Sequence, residues 1–291
     1  MADVEENLKN VSAYISKLPA LPVTVSKILE IANDPDSSAV DINKIVNLDP
    51  VLMARVLRLI NSAYYGVANR VTSLVRAIIM LGINTVKNLA LSAAVMENFE
   101  KNVVPGPLNM NDFWLHSLAV GVLSKMLARA QGVDSRILEE YFIAGLLHDI
   151  GKIPLNNALG ARFAEAISRA EEEHVALYRM EKELIGFDHA HTGFLIGSDW
   201  NFSGEILDAI QNHHTPDSFA GDNIPFVYTI SVADIYINTN CTGFSGSRYP
   251  EPPPEKAMDC LGINLDNLEA MHTKLLREIE KAKIFLNIGE G

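Results

Sequence analysis

Residues 144–155 read AGLLHDIGKIPL, an apolar surface of Ala144, Leu146, Leu147 and Ile150 interrupted by His148, Asp149 and, three positions on, Lys152. Burying a carboxylate costs several kcal/mol unless a cation or a set of donors compensates it, so the segment asks what pairs with Asp149. Candidates recur downstream. Asp188-His189-Ala190-His191 and His213-His214 place histidines beside acids or one another, and Asp234 sits in the apolar run FVYTISVADIYIN without a lysine or arginine near it. Asp112 and His116 are four residues apart, on one face if their segment is helical. Imidazole nitrogens and carboxylate oxygens converging from several helices, without cysteine, suit a divalent transition metal. Iron, manganese, nickel and zinc fit; magnesium is less suited to so many imidazoles. The competing reading is packing. A single histidine on an apolar face is ordinarily a hydrogen-bonded core residue, and a His-His pair often marks an exposed helix end. Spacing alone does not separate the two.

Helices must position these side chains, because helical periodicity dominates and strand alternation is almost absent. The fold class is read as all-α. Val25, Ile28, Leu29 and Ala32 share one face of a predicted helix over 22–33. Asp49-Pro50 combines a capping carboxylate with proline at the first helical position, and the helix it opens is expected to stop at Gly66. Another ends at Gly82, after which Asn84 is read as the cap of a helix to about 97. NVVPGPLN (102–109) is the best internal boundary. It divides an N-terminal helical part (1–105) from a candidate metal-binding part (106–240), with a Pro-rich loop and last helix over 241–291. Within the second part, Asn111 or Asp112 opens a helix ending near 132, and further helices are predicted at 136–147, 161–185, 189–198, 203–214 and 225–238. CTGFSGSRYPEPPPEK (241–256) reads as structureless, a lid or a tether for a final helix over 265–285. No internal repeat is present.

A net charge of −12 argues against charge-driven nucleic-acid binding. Cys241 and Cys260 lie 19 apart and match no zinc spacing, and so few cysteines suggest a reducing compartment. The acidic start MADVEENLKN does not read as a secretory signal, and the most apolar stretch, 77–95, is broken by Lys87. A cytoplasmic protein with no membrane span is expected. Residues 50–90 carry Arg55, Arg58, Arg70, Arg76 and Lys87 and no acid, a local +5 that leaves −17 for the rest. That patch is either a docking surface for an anionic ligand or acidic signalling partner, or a set of stems that pack inward and pair with acids of the second part. The helix pair around Gly82 has a helix-turn-helix outline, but its second helix, NTVKNLALSAAV, holds one lysine, which disfavours DNA reading.

The order His116, His148-Asp149, Asp234, with the flank LLHDIGK, resembles the HD superfamily of metal-dependent phosphohydrolases. From about Leu18 to Pro216 the chain resembles the HDOD family, a bacterial group linked to signal transduction. The matching segments are LPALPVTVSKILEIANDPDSS, LDPVLMARVLRLINSAYYG, GFDHAHTGFLIGSDW and AIQNHH. The resemblance implies an HD-type helical bundle preceded by an N-terminal helical subdomain. It implies one metal held by His116, His148, Asp149 and Asp234, with Asp149 bridging to a second held by His189, His213 and His214. His189 is taken over His191 because the pattern His-x-x-x-Gly is met by His189 and Gly193, leaving His191 at the surface or behind the ligands. Some relatives place an extra carboxylate at the position of Asp112. The implied activity is hydrolysis of a phosphate-containing, nucleotide-type small molecule, phosphodiesterase-like, with Asp149 and Lys152 as catalytic candidates. Lys152 would neutralise a phosphate oxygen, or else is only a cation favoured at a helix C-terminus. The alternative is a metal-stabilised signalling module without turnover. After His213-His214 the chain reads TPDSFAGDNIP, without the Gly-Tyr-Pro of the HD-GYP branch, so cyclic di-GMP hydrolysis is not implied. His174 and His272 lie in charged helices and are expected to be exposed.

Overall fold

A computed structural model describes residues 2–32, 44–45, 49–100 and 105–287, and among these it contains helices and no strands. Helices with one apolar face lie outside and helices apolar all round lie inside. The first group comprises α1 (Ala2–Ile15), α2 (Val23–Ala32), α3 (Pro50–Ile60) and α4 (Leu74–Leu81). Of these, α2, α3 and α4 pack on α5 (Ile83–Glu100), which is buried on every side from Thr85 to Met96. α5 in turn packs on α7 (Leu138–Leu147), and α7 on the long α6 (Met110–Ala130). The second half continues with α8 (Lys152–Ala158), α9 (Gly160–Glu173), α10 (Leu177–Leu184), α11 (His189–Asp199), α12 (Gly204–Asn212) and α13 (Ile224–Thr239). α14 (Glu255–Leu261) packs on α13, and α15 (Leu265–Ala282) lies along α6. α1 leaves the other N-terminal helices and packs on α8, with the Asn7 amide donating to the buried Ile185 carbonyl at 2.9 Å. One aromatic joint gathers the three stretches of chain. Phe285 lies 5.8 Å from the Tyr64 ring and 4.9 Å from the Phe142 ring.

The cap at Asp49 forms as expected, its Oδ1 accepting from Leu52 N at 2.9 Å. The helix it opens ends at Ile60 rather than Gly66, because the Asn61 side chain offers the backbone other partners. Its amide donates to Leu57 O and Val71 O, both at 2.8 Å, and its Oδ1 accepts from Val71 N at 2.7 Å, folding the chain back. α5 starts directly after Gly82, so Asn84 lies inside the first turn instead of capping it. Asn109, not Asn111 or Asp112, caps α6. The helix expected over 161–185 is two helices: His174 adopts φ +56°, and both His174 N and Val175 N donate to Ala170 O, which closes α9. α8 has no counterpart among the predicted helices; Pro154 lies in its first turn, where proline is tolerated. α14 begins inside the stretch read as loop. The 102–109 boundary and the end of the 22–33 helix fall partly on residues outside those described.

Within the basic stretch, Arg55 pairs with Glu97, and Lys87 is buried with its Nζ 3.9 Å from Glu140 on α7, while Arg58, Arg70 and Arg76 stay exposed. No single helix among the described residues is long and apolar enough to cross a membrane.

α6 and α7 cross backbone to backbone. A Cβ added at Gly145 would lie 2.6 Å from Gly121 Cα, and one added at Gly121 would lie 2.6 Å from Phe142 O. Gly145→Ala is expected to prise the pair apart at a cost of about 1–3 kcal/mol, lowering the thermal midpoint by several degrees. Gly160→Ala, where the added Cβ meets nothing within 4 Å, serves as control and should melt like the parent. Equal midpoints for the two variants would contradict this crossing.

Candidate metal centre

Five helices end or pass at one point. His116 lies on α6, His148 and Asp149 follow α7, His189 opens α11, His213 and His214 follow α12, and Asp234 is on α13. The ends are set locally: Asp188 caps α11 by accepting from His191 N at 2.9 Å, which fixes His189 at the first helical position. A close approach does the rest. A Cβ at Gly151 would lie 2.0 Å from His189 O and 2.4 Å from Gly193 N, so the turn after Asp149 sits directly on α11. This contact gives the His189-x-x-x-Gly193 spacing its physical reason.

The side chains form two groups, His116, His148, Asp149 and Asp234 in one and Asp149, His189, His213 and His214 in the other, with donor atoms in each group within 4.8 Å of one another. His148, Asp149 and His189 are fully buried, His116, His213 and Asp234 nearly so, and His214 half-buried. In the first, His116 Nε2 lies 3.1 Å from Asp234 Oδ1 and 3.6 Å from Asp149 Oδ2, and His148 Nε2 lies 3.3 Å from each of those oxygens. In the second, Asp149 Oδ1 lies 3.1 Å from His189 Nε2 and 3.8 Å from His213 Nε2, and His189 Nε2 lies 2.8 Å from His214 Nε2. Nitrogen and oxygen ligands at about 2.0–2.2 Å from one ion stand roughly 3–4 Å apart, the spacing found here. Asp149 Oδ1 and His213 Nε2 are buried with no hydrogen-bond partner among the described residues, although both can serve as ligands. The donor set therefore fits a divalent ion.

Asp149 also has a direct cationic partner. Lys152 Nζ donates to Asp149 Oδ2 at 2.6 Å and to Ser245 Oγ at 3.1 Å, and Lys152 is 1% exposed. Lys152 opens α8 rather than ending a helix, which removes the C-terminal dipole reading. Three imidazoles are held from behind. His148 Nδ1 donates to Gly145 O at 2.7 Å, His213 Nδ1 to Ile210 O at 2.9 Å, and His189 Nδ1 to Glu181 Oε2 at 2.6 Å. Each leaves Nε2 facing the cluster. On α13, Asn238 donates to Asp234 Oδ1 at 2.7 Å. Glu181, Asn238 and Ser245 were not foreseen. Asn238 is four residues from Asp234 and Glu181 falls on the apolar stripe of Leu177, Met180 and Leu184, so both left a trace in the sequence. Ser245 left none.

Asp112 is exposed and joins neither group; its backbone carbonyl accepts from Phe244 N at 3.1 Å. His191 is half-buried beside Phe187, and His174 is exposed as expected. His272 is not: it is half-buried with Nδ1 3.1 Å from the Tyr236 hydroxyl. The loop read as structureless packs in. Ser245 is fully buried, and residues 250–254 cover a cavity of about 40 Å³ bounded by Tyr178, His213, His214, Asp234 and Asn238.

Burial alone would depress His148, but the Asp149 and Asp234 carboxylates outweigh it and lift the pKa to about 10. Burial also opposes His189, where Glu181 and Asp149 prevail and lift it to about 9. Burial and the neighbouring His148 and His189 push His213 down to about 3, and burial with His213 holds His214 well below its usual value. Burial lowers His116 despite Asp234. Asp149 and Asp234 overcome burial through adjacent imidazoles, with Lys152 also acting on Asp149, and both stay charged well below the usual carboxylate range.

The family profile described as HDOD domain matches residues 18–216. A crystal structure of an HDOD domain protein of unknown function from Geobacter sulfurreducens superposes with a TM-score of 0.75 at 26% identity, covering 97% of this chain and 99% of that one. A protein from Shewanella amazonensis that bears the provisional name phosphohydrolase gives 0.67 at 26% identity, covering 95% and 98%. An uncharacterised protein from Treponema pallidum is 22% identical over 231 residues, 78% of this chain, which spans 44% of that relative's length.

A divalent ion entering these groups must displace the protons that His148 and His189 hold below about pH 9. Metal uptake should therefore release protons at pH 7.5, and affinity should climb as pH rises toward 9. Titration calorimetry of Mn²⁺ in buffers of different ionisation enthalpy measures the release; an uptake heat independent of the buffer would contradict it.

Proposed function

This chain belongs to the HDOD family, and on that premise we propose that it is a metal-dependent phosphohydrolase, phosphodiesterase-like, acting on a phosphate-containing small molecule of nucleotide type in bacterial signalling. One observation carries the reading: the two oxygens of Asp149 face separate ligand groups, Oδ2 with His116 and His148, Oδ1 with His189 and His213. A pair of divalent transition ions held by such a carboxylate would lower the pKa of a water between them toward ~7 and polarise a phosphoryl oxygen. The chain's own contribution is orientation. Gly145 O, Ile210 O and Glu181 hold His148, His213 and His189 by their Nδ1 atoms, and Lys152, itself held by Ser245 Oγ, fixes the Asp149 carboxylate. Lys152 is the cation nearest the shared oxygen and the candidate to meet a phosphate once the loop over the site moves. Cys241 and Cys260 are exposed, unpaired thiols, in keeping with action in a reducing cytoplasm.

The small cavity favours a second reading. A cavity of about 40 Å³ is far below the ~300–1,000 Å³ of small-molecule sites, and Lys152 is engaged by Asp149 and Ser245. A metal-stabilised module that docks a signalling protein, without turnover, would need neither an open mouth nor a free lysine.

Elemental analysis of purified protein, followed by hydrolysis of bis(p-nitrophenyl) phosphate, separates the two. The enzyme reading expects two ions per chain and metal-dependent turnover that His148→Ala abolishes. Retained metal with no turnover across a phosphoester panel supports the module. Protein that takes up no transition ion overturns both.

A further inference from the structure

α10 carries no metal ligand in the arrangement above, yet it touches two of them. Glu181 is 0% exposed, and its Oε2 accepts from both His189 Nδ1 at 2.6 Å and His189 N at 2.9 Å. No lysine or arginine pairs with it among the described residues, where its hydrogen-bond partner is His189. Three residues earlier, one turn along the same face, Tyr178 stacks on His214 with ring centroids 4.5 Å apart and planes 12° from parallel. Lys182 Nζ reaches Asp188 Oδ2 at 2.9 Å, tying α10 to the cap of α11. The other anchored histidines use backbone carbonyls, which come with the fold. Among the described residues His189 is the ligand whose Nδ1 is held by a carboxylate, and burying one is costly without a charged or proton-donating partner.

We propose that Glu181 is a positioning residue for the second ligand group: it fixes the His189 ring with Nε2 toward Asp149, while Tyr178 holds His214 flat beside it, so that α10 determines whether that group takes up its ion. The inference rests on the metal reading above. A carboxylate behind a ligating imidazole fixes its orientation and raises its basicity, and loss of such a partner weakens metal affinity roughly 10–100-fold. Among the described residues no α10 side chain is hydrogen-bonded to His116, His148 or Asp234, so the effect is expected at one of two ions.

The full chain is stripped with chelator, reloaded with Co²⁺, and followed by titration calorimetry and by the visible Co²⁺ spectrum, with a thermal melt for each variant. Glu181→Ala is expected to weaken one ion about 10–100-fold and leave the other unchanged. Glu181→Gln, whose amide oxygen still accepts from His189, should retain both ions with a smaller loss for the same one, and it guards against an alanine variant that does not fold. Two ions bound with parental affinities in both variants overturn the assignment alone, even if Glu181→Ala melts earlier, because a purely capping role predicts that result. Equal weakening of both ions also overturns it. A parent chain that binds no second ion overturns the assignment together with the metal reading.

Discussion

The Asp149 carboxylate sets the terms for everything around it. Fully buried, it cannot remain charged unless the elements that surround it bring positive charge or donors to within a few ångströms. α6, α7, α8 and α11 each deliver one, from His116, His148, Lys152 and His189, while α12 turns the unprotonated Nε2 of His213 toward the same carboxylate. A local electrostatic demand thereby becomes a global one: five segments must meet where one side chain is. Three carboxyl groups, of Asp149, Asp234 and Glu181, face one ammonium and two imidazoles that the carboxylates keep protonated. The centre is close to balanced in protons alone, and a divalent ion enters it by exchange for protons rather than by filling a charge deficit.

The backbone prepares that balance. Gly121 against Gly145 and Gly151 against Gly193 allow contacts that any Cβ would block, and both lie beside ligands. Carbonyls of Gly145 and Ile210, exposed where α7 and α12 end, then hold imidazoles that helix interiors could not. His148 and His213 sit where helices end because that is where helices have unspent hydrogen-bonding groups, whereas His116 and Asp234 project from helix interiors.

What the sequence made legible follows the same logic. Histidine and aspartate in apolar runs mark out the side chains that converge, and the resemblance to the HD signature gives them as one set, with Asp234 included although it lies beyond the matched family region. The α-helical class was equally plain. The inward aim of Lys152 onto Asp149 is not legible, because no helix is predicted over 152–158. Glu181 shares the apolar stripe of its helix, but its aim is not legible: with 161–185 read as one helix, the left-handed turn at His174 that re-aims α10 is invisible. Ser245 approaches Lys152 from 93 residues away, a contact no local pattern encodes.

Phe285 has a consequence of its own. Its ring, fully buried, touches Tyr64 from the N-terminal helices and Phe142 from the centre, so a residue near the last turn of chain fastens two regions that precede it by more than a hundred positions. The family match stops at 216, yet Asp234 and Phe285 both lie past it. The matched segment and the segment packed together in the fold are of different lengths. A fragment cut to the first would forfeit a carboxylate of its own centre and the ring that keys its halves together.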